Sequence, residues 1–293
     1  MSRMSTLDTD TVPIWERLYQ VWPEFDWSNS RIAHGASHHV AVLGSTAAIR
    51  VATGIAHEQR SRREMENLET INLLQLPVLT PTPLSAVHTE NDWSAYATRF
   101  VPGRHVDSKQ WLQVRVPVAE ILATLSSVSL PTGATLRQPR DWCGGQAWPE
   151  AVEQAAYKLD VNLRDQAARV VADVLLVDQS APRTLVHGDF GLHNLLWKDR
   201  TISGIIDFDH ACIGDPAIDI APLIGVFGSA AVAEITDTET IERGKRHRAS
   251  LSLQVAAAAH LAGDTKLRDH ALENFASRVR NNTLYDPNPA VAE

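Results

Sequence analysis

The spacing of apolar residues divides the chain into a strand-rich part and a helix-rich part. Up to residue 100, helical periodicity is confined to 14–21 and 57–74. Short apolar runs with strand character account for most of the remainder: 38–43, 47–51, 84–88 and 94–100. Gly44-Ser45-Thr46 separates the first two runs and predicts a hairpin between them.

The pattern becomes helical after the segment Val101-Pro102-Gly103. Pro117 fits the first turn of the first helix in this part. Helices are predicted, in order, over 117–128, over 150–176, from 216, and through most of 238–280. A polar insert of three short strands interrupts them: 184–187, 195–197 and 202–207.

Two lobes follow from this change of pattern. The length of 293 residues exceeds the usual size of a single compact core. We therefore predict an α+β protein with a small β-rich N-terminal lobe, residues 1–102, and a larger, mostly helical C-terminal lobe, residues 103–293.

Composition is that of an ordinary globular protein and excludes several classes of function. Hydrophobic residues make up 44% and charged residues 21%, and no stretch approaches the roughly 18 consecutive apolar residues of a membrane span. The N-terminus lacks the apolar segment of a secretory signal, so we expect a cytoplasmic protein without a membrane partner. A net charge of −8 argues against nucleic acid as a partner. Cys143 and Cys212 are expected to be partly buried thiols without a redox role.

Charged residues are distributed unevenly along the C-terminal lobe. The region 189–239 holds nine acidic residues against two basic ones, which favours metal ions and cationic ligands. A basic cluster in helical sequence is interpreted as a solvated helix face: Arg243, Lys245, Arg246, His247 and Arg248.

The most informative segment runs from His187 to Asn194. Asp189 precedes Asn194 by five positions, which is the spacing of the protein-kinase catalytic loop, H-R-D-x-x-x-x-N. In that loop the carboxylate accepts the proton of the attacking hydroxyl, and the amide oxygen coordinates Mg²⁺. Asp207 ends the apolar run 204–206 and offers a second hard oxygen ligand. The alternative, turn and cap residues of a hairpin, does not explain why these three groups follow in this order.

With this motif, the runs Ile206-Asp207-Phe208 and 214–221 (Gly-Asp-Pro-Ala-Ile-Asp-Ile-Ala) resemble the aminoglycoside phosphotransferase family. That family includes antibiotic kinases, choline kinases and homoserine-type kinases. The resemblance implies a bilobal protein-kinase-like fold that uses ATP, or GTP in its place, with Mg²⁺. It implies Asp189 as the catalytic residue, with Asn194 and Asp207 as magnesium ligands.

Two further aspartates have supporting roles, Asp219 from the resemblance and Asp215 from its place before a helix. Asp219 is expected to hold the catalytic loop through backbone amides, and Asp215, just before Pro216, is expected to be a helix N-cap.

The resemblance also implies a phosphate contact in the N-terminal lobe. Arg50, in the strand 47–51, stands where many such kinases have Lys, and its planar guanidinium suits phosphate. Its acidic partner on the following helix is expected to be Glu64, with Glu66 as the alternative. All three residues are also compatible with ordinary surface charges.

Two backbone segments complete the implied nucleotide site. The loop that contains Gly35 and Ser37 should cover the phosphates, although it lacks a full Gly-rich motif. At the lobe junction, the Arg99 carbonyl and the Val101 amide should meet the adenine.

Histidines and tryptophans around the motif have weaker assignments. His187 resembles the kinase-loop histidine that packs and orients the backbone. A zinc site formed by His187, His193 and His210 is disfavoured, because their spacing matches no known ligand pattern. Trp142 and Trp148 are candidates for lining a substrate cleft.

These features predict a kinase that phosphorylates a hydroxyl of a small, cationic molecule. An antibiotic of the aminoglycoside, macrolide or viomycin-type peptide class is expected as the acceptor. A metabolic kinase for a choline-, homoserine- or sugar-like acceptor is one alternative. An inert nucleotide-binding pseudokinase is another, and the presence of Asp189, Asn194 and Asp207 argues against it. The sequence does not determine the oligomeric state.

Overall fold

The computed structural model describes residues 12–34, 38–106 and 111–287. Backbone contacts divide the chain into two compact units, with the division between Pro102 and Gly103. The first unit contains a sheet with two helices, and the second is mainly helical.

The first unit is built on a five-stranded antiparallel sheet in the order β1-β2-β3-β5-β4. Its elements are α1 Val12–Val21, β1 Ser30–His34, β2 His39–Leu43, β3 Ala47–Thr53, α2 His57–Leu73, β4 His88–Thr89 and β5 Trp93–Arg99. Ile49 and Val51 of β3 are fully buried and pack with Leu18 of α1 and Leu43 of β2. Because side chains alternate along a strand, Arg50 lies on the opposite face of β3, next to Tyr96 in the register with β5.

The edges of this sheet differ from the sequence prediction. Strand β1 was not predicted, because its sequence, Ser-Arg-Ile-Ala-His, contains one large apolar residue and no alternating run. Strand β4 is much shorter than the predicted 84–88. The chain before it already bonds to β5 in another way, since the Leu84 amide donates to the Ala97 carbonyl at 2.8 Å.

The second unit packs long helices around an apolar core. Its helices are α3 Trp111–Ser127, α4 Trp148–Ala155, α5 Val161–Ser180, α6 Ala217–Phe227, α7 Ser229–Val232, α8 Thr238–Leu261 and α9 Thr265–Arg280. Its short strands are β6 Thr184–Val186, β7 Leu195–Lys198, β8 Thr201–Ile205 and β9 Cys212–Gly214, paired as β6 with β9 and β7 with β8. Trp148, Leu253 and Phe275 lie at the centre of the core, with no exposed surface.

Three features of this unit differ from the sequence prediction. Helix α3 begins at Trp111, so Pro117 lies inside it instead of in its first turn. Pro117 removes one backbone hydrogen bond, and burial of Trp111 and Val114 on the same helix offsets that loss. Strand β9 was not predicted. Trp148 is fully buried and therefore cannot line a cleft.

The basic cluster on α8 is also not the solvated face that its sequence suggested. Arg243, His247 and Arg248 are each less than 10% exposed. Arg248 donates to the carbonyl oxygens of Thr283 and Leu284, while Arg243 and His247 contact Asp215. Buried charges need partners of this kind, and a short window of sequence does not reveal them.

Two further features of the described residues concern membrane helices and cysteines. Among the helices formed by the described residues, none is long and apolar enough to cross a membrane. Cys143 and Cys212 are free thiols, and both are more deeply buried than the partial burial expected from sequence. Burial raises the pKa of both, that of Cys212 to about 12.

Candidate active site

Gly188 fixes the path of the loop 187–194 where it leaves β6. Gly188 has φ of +84°, a conformation that side chains disfavour. A Cβ at this position would collide with the carbonyl oxygen of His210 and lie 2.8 Å from the His210 Cβ. The loop therefore packs so closely against the segment 208–210 that a side chain at position 188 would not fit.

Asp219, at the start of α6, stabilises this turn by accepting hydrogen bonds from two of its backbone amides. Its Oδ2 accepts the His187 amide at 2.7 Å, and its Oδ1 accepts the Gly188 amide at 2.9 Å. Burial raises the pKa of Asp219 to about 6, although the bonds from these two amides favour the ionised form. The structure thus gives Asp219 the loop-holding contacts expected of it.

His187 uses both ring nitrogens within the protein. Its Nε2 lies 2.9 Å from the Ile206 carbonyl oxygen, and its Nδ1 accepts the Asp189 amide at 3.2 Å. The ring packs against Phe208 at 4.7 Å between centroids. These contacts orient the backbone of Asp189 and leave no ring nitrogen for a zinc ion.

Asp189 and Asn194 are in direct contact. The Asn194 Nδ2 donates to the Asp189 carbonyl at 2.9 Å and to its Oδ2 at 3.2 Å. The amide nitrogen is therefore engaged with Asp189, and the amide oxygen of Asn194 is the atom left to bind a cation. The Asn194 carbonyl accepts the Ile206 amide at 3.0 Å, which ties the loop to the strand that leads to Asp207.

His193 also contacts the Asp189 carboxylate, which the sequence reasoning missed. Its Nε2 lies 3.5 Å from Asp189 Oδ2. Burial raises the pKa of Asp189, but the hydrogen bond from His193 and the charges of the neighbouring histidines outweigh burial and hold this pKa below its usual value. Asp189 is therefore a carboxylate at neutral pH, the form that accepts a proton. In return, the hydrogen bond to Asp189 raises the pKa of His193.

Asp207 and His210, in the segment after β8, lie close to the loop 187–194. Asp207 has φ of +66°, and it directly precedes the short 3₁₀ turn Phe208–His210. Burial lowers the pKa of His210 despite the charges of Asp189 and Asp207. The His210 ring stacks on Trp142, with 4.7 Å between centroids and 28° between planes. Trp142 thus remains a candidate wall of the acceptor site.

Asp215 has more partners than its expected N-cap role requires. The predicted N-cap position is wrong by one residue, because α6 begins at Ala217 with Pro216 as its N-cap, but the Asp215 Oδ1 still accepts the Ala217 amide at 3.0 Å. The Asp215 Oδ2 lies 3.0 Å from both Arg243 Nε and His247 Nε2 of α8. This buried cluster joins α8 to the start of α6, the helix that carries Asp219.

In the first unit, the predicted phosphate-binding Arg50 and its expected acidic partner Glu64 both contact His38. Glu64 is buried, whereas Glu66 is exposed. The Glu64 carboxylate lies 2.9 Å from His38 Nε2 and accepts the Tyr96 hydroxyl at 3.0 Å, and Arg50 Nη2 lies 3.3 Å from His38 Nδ1. Although burial raises the pKa of Glu64, His38, Arg50 and Tyr96 together lower it. Sequence reasoning did not assign His38, whose place between an acidic and a basic residue becomes visible only in the folded sheet.

The remaining predicted nucleotide contacts are backbone segments. Strand β5 ends at Arg99, whose amide donates to the Thr82 carbonyl at 2.8 Å, and Val101 is buried directly beyond it. The assignment of the Arg99 carbonyl and the Val101 amide to adenine stays a prediction. Gly35 and Ser37 lie outside the described residues.

Residues 28–275 match the family model described as the phosphotransferase enzyme family. The chain belongs to this family. As one of the phosphotransferases, it is an enzyme that transfers a phosphoryl group to a hydroxyl of a small molecule, which confirms the reaction class predicted from sequence.

Individual relatives and a solved structure agree with this assignment. Viomycin phosphotransferase of Streptomyces vinaceus is 27% identical over 80% of this chain and 88% of its own length. Homoserine kinase of Methylocella silvestris is 32% identical, over 26% of this chain and 25% of its own. The GDP complex of wild-type aminoglycoside 2'-phosphotransferase-IIIa has a TM-score of 0.73 at 16% identity, covering 94% of this chain and 100% of that one. The predicted kinase-like α+β fold is therefore confirmed.

Proposed function

We propose that this phosphotransferase moves the γ-phosphoryl group of ATP, or of GTP, to a hydroxyl of a cationic antibiotic and so confers resistance. A viomycin-type peptide is the first candidate acceptor, ahead of aminoglycosides and macrolides. The observation that carries the proposal is the Asp189 carboxylate, which is ionised and held by the Asn194 amide at 3.2 Å. The similarity to viomycin phosphotransferase over most of both chains supports the choice of acceptor.

Asp189 would act on the acceptor hydroxyl. The carboxylate accepts the hydroxyl proton as the acceptor oxygen forms a bond to the γ-phosphorus, and the bond from that phosphorus to the β–γ bridging oxygen breaks. The products are the phosphorylated acceptor and ADP or GDP, with the proton on Asp189 passing to solvent. Catalysis of this kind depends on positioning and on electrostatic stabilisation more than on covalent chemistry.

The side chains at Asn194 and Asp207 fit a magnesium ion. Both offer hard oxygen donors, and the contact of the Asn194 nitrogen with Asp189 leaves the amide oxygen for a cation. When bound, Mg²⁺ would offset the negative charge of the nucleotide phosphates. His187 and Asp219 take no ligand role in this proposal, because their polar atoms already hold the loop.

The first unit supplies the proposed nucleotide contacts. Arg50 would bind phosphate oxygens, and Glu64 and His38 would hold its guanidinium in place. The Arg99 carbonyl and the Val101 amide would bind adenine, and the loop with Gly35 and Ser37 would cover the phosphates.

A phosphoryl-transfer assay tests the proposal. Purified protein with ATP or GTP and Mg²⁺ should phosphorylate viomycin, and Asp189→Asn should abolish the activity. Asp199→Asn is a matched control: Asp199 lies in the β7–β8 turn with φ of +49°, a conformation that Asn accepts well. Its activity should equal that of the wild type.

The acceptor panel separates the alternatives. Kanamycin, hygromycin B and homoserine belong in the same assay as viomycin. Transfer to homoserine alone would replace the antibiotic proposal by a metabolic kinase, an alternative that the shorter similarity to homoserine kinase supports. Transfer to none of them, with no effect of Asp189→Asn on any nucleotide turnover, would indicate an inert nucleotide-binding protein.

A further inference from the structure

We infer that His193 is a positioning residue for the Asp189 carboxylate, and that Gly191 is required because the His193 ring occupies the space of its missing Cβ. The inference rests on the proposed role of Asp189 as the acceptor of the hydroxyl proton. It adds a function for two residues that the kinase-loop spacing leaves unspecified.

Two side chains converge on the same oxygen of Asp189. The Asn194 Nδ2 lies 3.2 Å from Oδ2, and the His193 Nε2 lies 3.5 Å from it. Together they fix the rotation of the carboxylate and leave Oδ1 as the oxygen that meets the acceptor hydroxyl. A carboxylate held by Asn194 alone could turn about its side-chain bonds, and productive attack requires closely defined geometry.

The packing of Gly191 gives independent evidence for this placement. Gly191 has φ of −91° and ψ of +155°, an extended conformation that any residue adopts, so its backbone does not call for glycine. The three atoms nearest to a Cβ built at this position all belong to the His193 ring, and one of them, Nδ1, would be 2.5 Å away. The absent side chain therefore makes room for the imidazole.

Core packing does not explain the position of the imidazole. The His193 side chain is 69% exposed, so little burial energy holds it over residue 191. The contact with the Asp189 carboxylate accounts for the orientation of the His193 ring.

Kinetics of matched variants test the inference. His193→Ala should lower kcat about tenfold or more, with the KM for ATP and for viomycin changed less than about threefold, since a misplaced reacting group affects the transition state more than binding. His193→Gln retains an N–H donor at comparable reach and should recover most of the lost kcat. Urea unfolding should show wild-type stability for both variants.

Gly191→Ala provides the sharper comparison. The new methyl group should displace the ring and reproduce the loss seen in His193→Ala. In the double variant, Gly191→Ala with His193→Ala, the imidazole is absent and the new methyl group displaces nothing. The kcat of the double variant should therefore equal that of His193→Ala, and the two losses should not multiply. Multiplicative losses, or a wild-type kcat in His193→Ala, would overturn the inference.

A spectroscopic measurement keeps the test independent of the acceptor. In ¹H–¹⁵N spectra of the imidazole rings, assigned with His193→Gln, the His193 signals should shift in Asp189→Asn and Gly191→Ala but not in Asp199→Asn. Unchanged signals in both variants would refute the contact itself. If Asp189→Asn retains transfer activity, the proposed function fails. If Asp189→Asn loses transfer activity but the His193 variants retain full kcat, the inference fails and the proposed function stands.

Discussion

Replacement of Asp215 by Asn should destabilise the second unit strongly, because it breaks a buried ion pair without changing its volume. The Asp215 side chain is 1% exposed, and its partners Arg243 and His247 are 9% and 2% exposed. Breaking a buried pair by removing one charge costs about 3–5 kcal/mol. Arg243 keeps its contact with Glu239 at 2.9 Å, but Glu239 is 85% exposed, and such pairs contribute less than about 1 kcal/mol. We therefore expect a loss of about 3 kcal/mol.

The pH dependence of this loss has a defined sign. Burial raises the pKa of Asp215, but His247, the Ala217 amide and Arg243 together lower it below its ordinary value of 3.8. A lowered folded-state pKa contributes stability that is present above pH 3.8 and disappears as the pH falls through the folded-state value. The difference between wild type and Asp215→Asn should therefore be largest near pH 7 and shrink below pH 4.

Urea unfolding at pH 7 and at about pH 3, which lies clearly below the ordinary pKa of 3.8, measures both effects when m-values are compared. Asp160→Asn is the control, since Asp160 is an exposed N-cap of α5 and Asn caps a helix about as well as Asp. It should change stability by less than about 0.5 kcal/mol. A loss below about 1 kcal/mol in Asp215→Asn at pH 7, or one that is the same at both pH values, would refute the reasoning.

Three further predictions concern the catalytic loop. Gly188→Ala should lose about 1–2 kcal/mol from its left-handed backbone alone, with more from the collision with His210; an unchanged urea midpoint would contradict this. Asp219→Asn removes one of the two acceptors for the amides of His187 and Gly188, so we expect kcat to fall with little change in KM, and equal kcat values would argue against a loop-holding role. Chelation of divalent cations by EDTA should stop transfer and added Mg²⁺ should restore it, whereas activity that persists in EDTA would rule out the magnesium assignment.

The sequence predicts those parts of the fold in which local pattern and burial agree. Helix α2 and strands β2, β3 and β5 lie close to their predicted ranges, because their apolar spacing matches one periodicity clearly. Strand β1 lacks that spacing and is held by its antiparallel pairing with the next strand, β2, which its own apolar pattern does not reveal. Helix α3 continues through Pro117 because tertiary packing outweighs a local propensity.

The candidate site, like the fold, could be predicted from the sequence only in part. The order of Asp189, Asn194 and Asp207 is a fixed spacing and could be read directly from the sequence. The partners of these residues could not be, because they depend on three-dimensional proximity. His38, just before β2, reaches Glu64 of α2 only in the folded unit, and His193 reaches Asp189 only across a single turn.

The two buried cysteines have a practical consequence for studying this enzyme in motion. Thiol reagents attack the thiolate, and burial both shields Cys143 and Cys212 and keeps them protonated at neutral pH. Maleimide dyes should therefore leave the folded wild-type chain unlabelled. A cysteine introduced at exposed Glu66 or Asp199 would carry a fluorophore or spin label alone, in a protein that retains both native cysteines. Labels at both positions would report whether the distance between the two units changes when nucleotide is added.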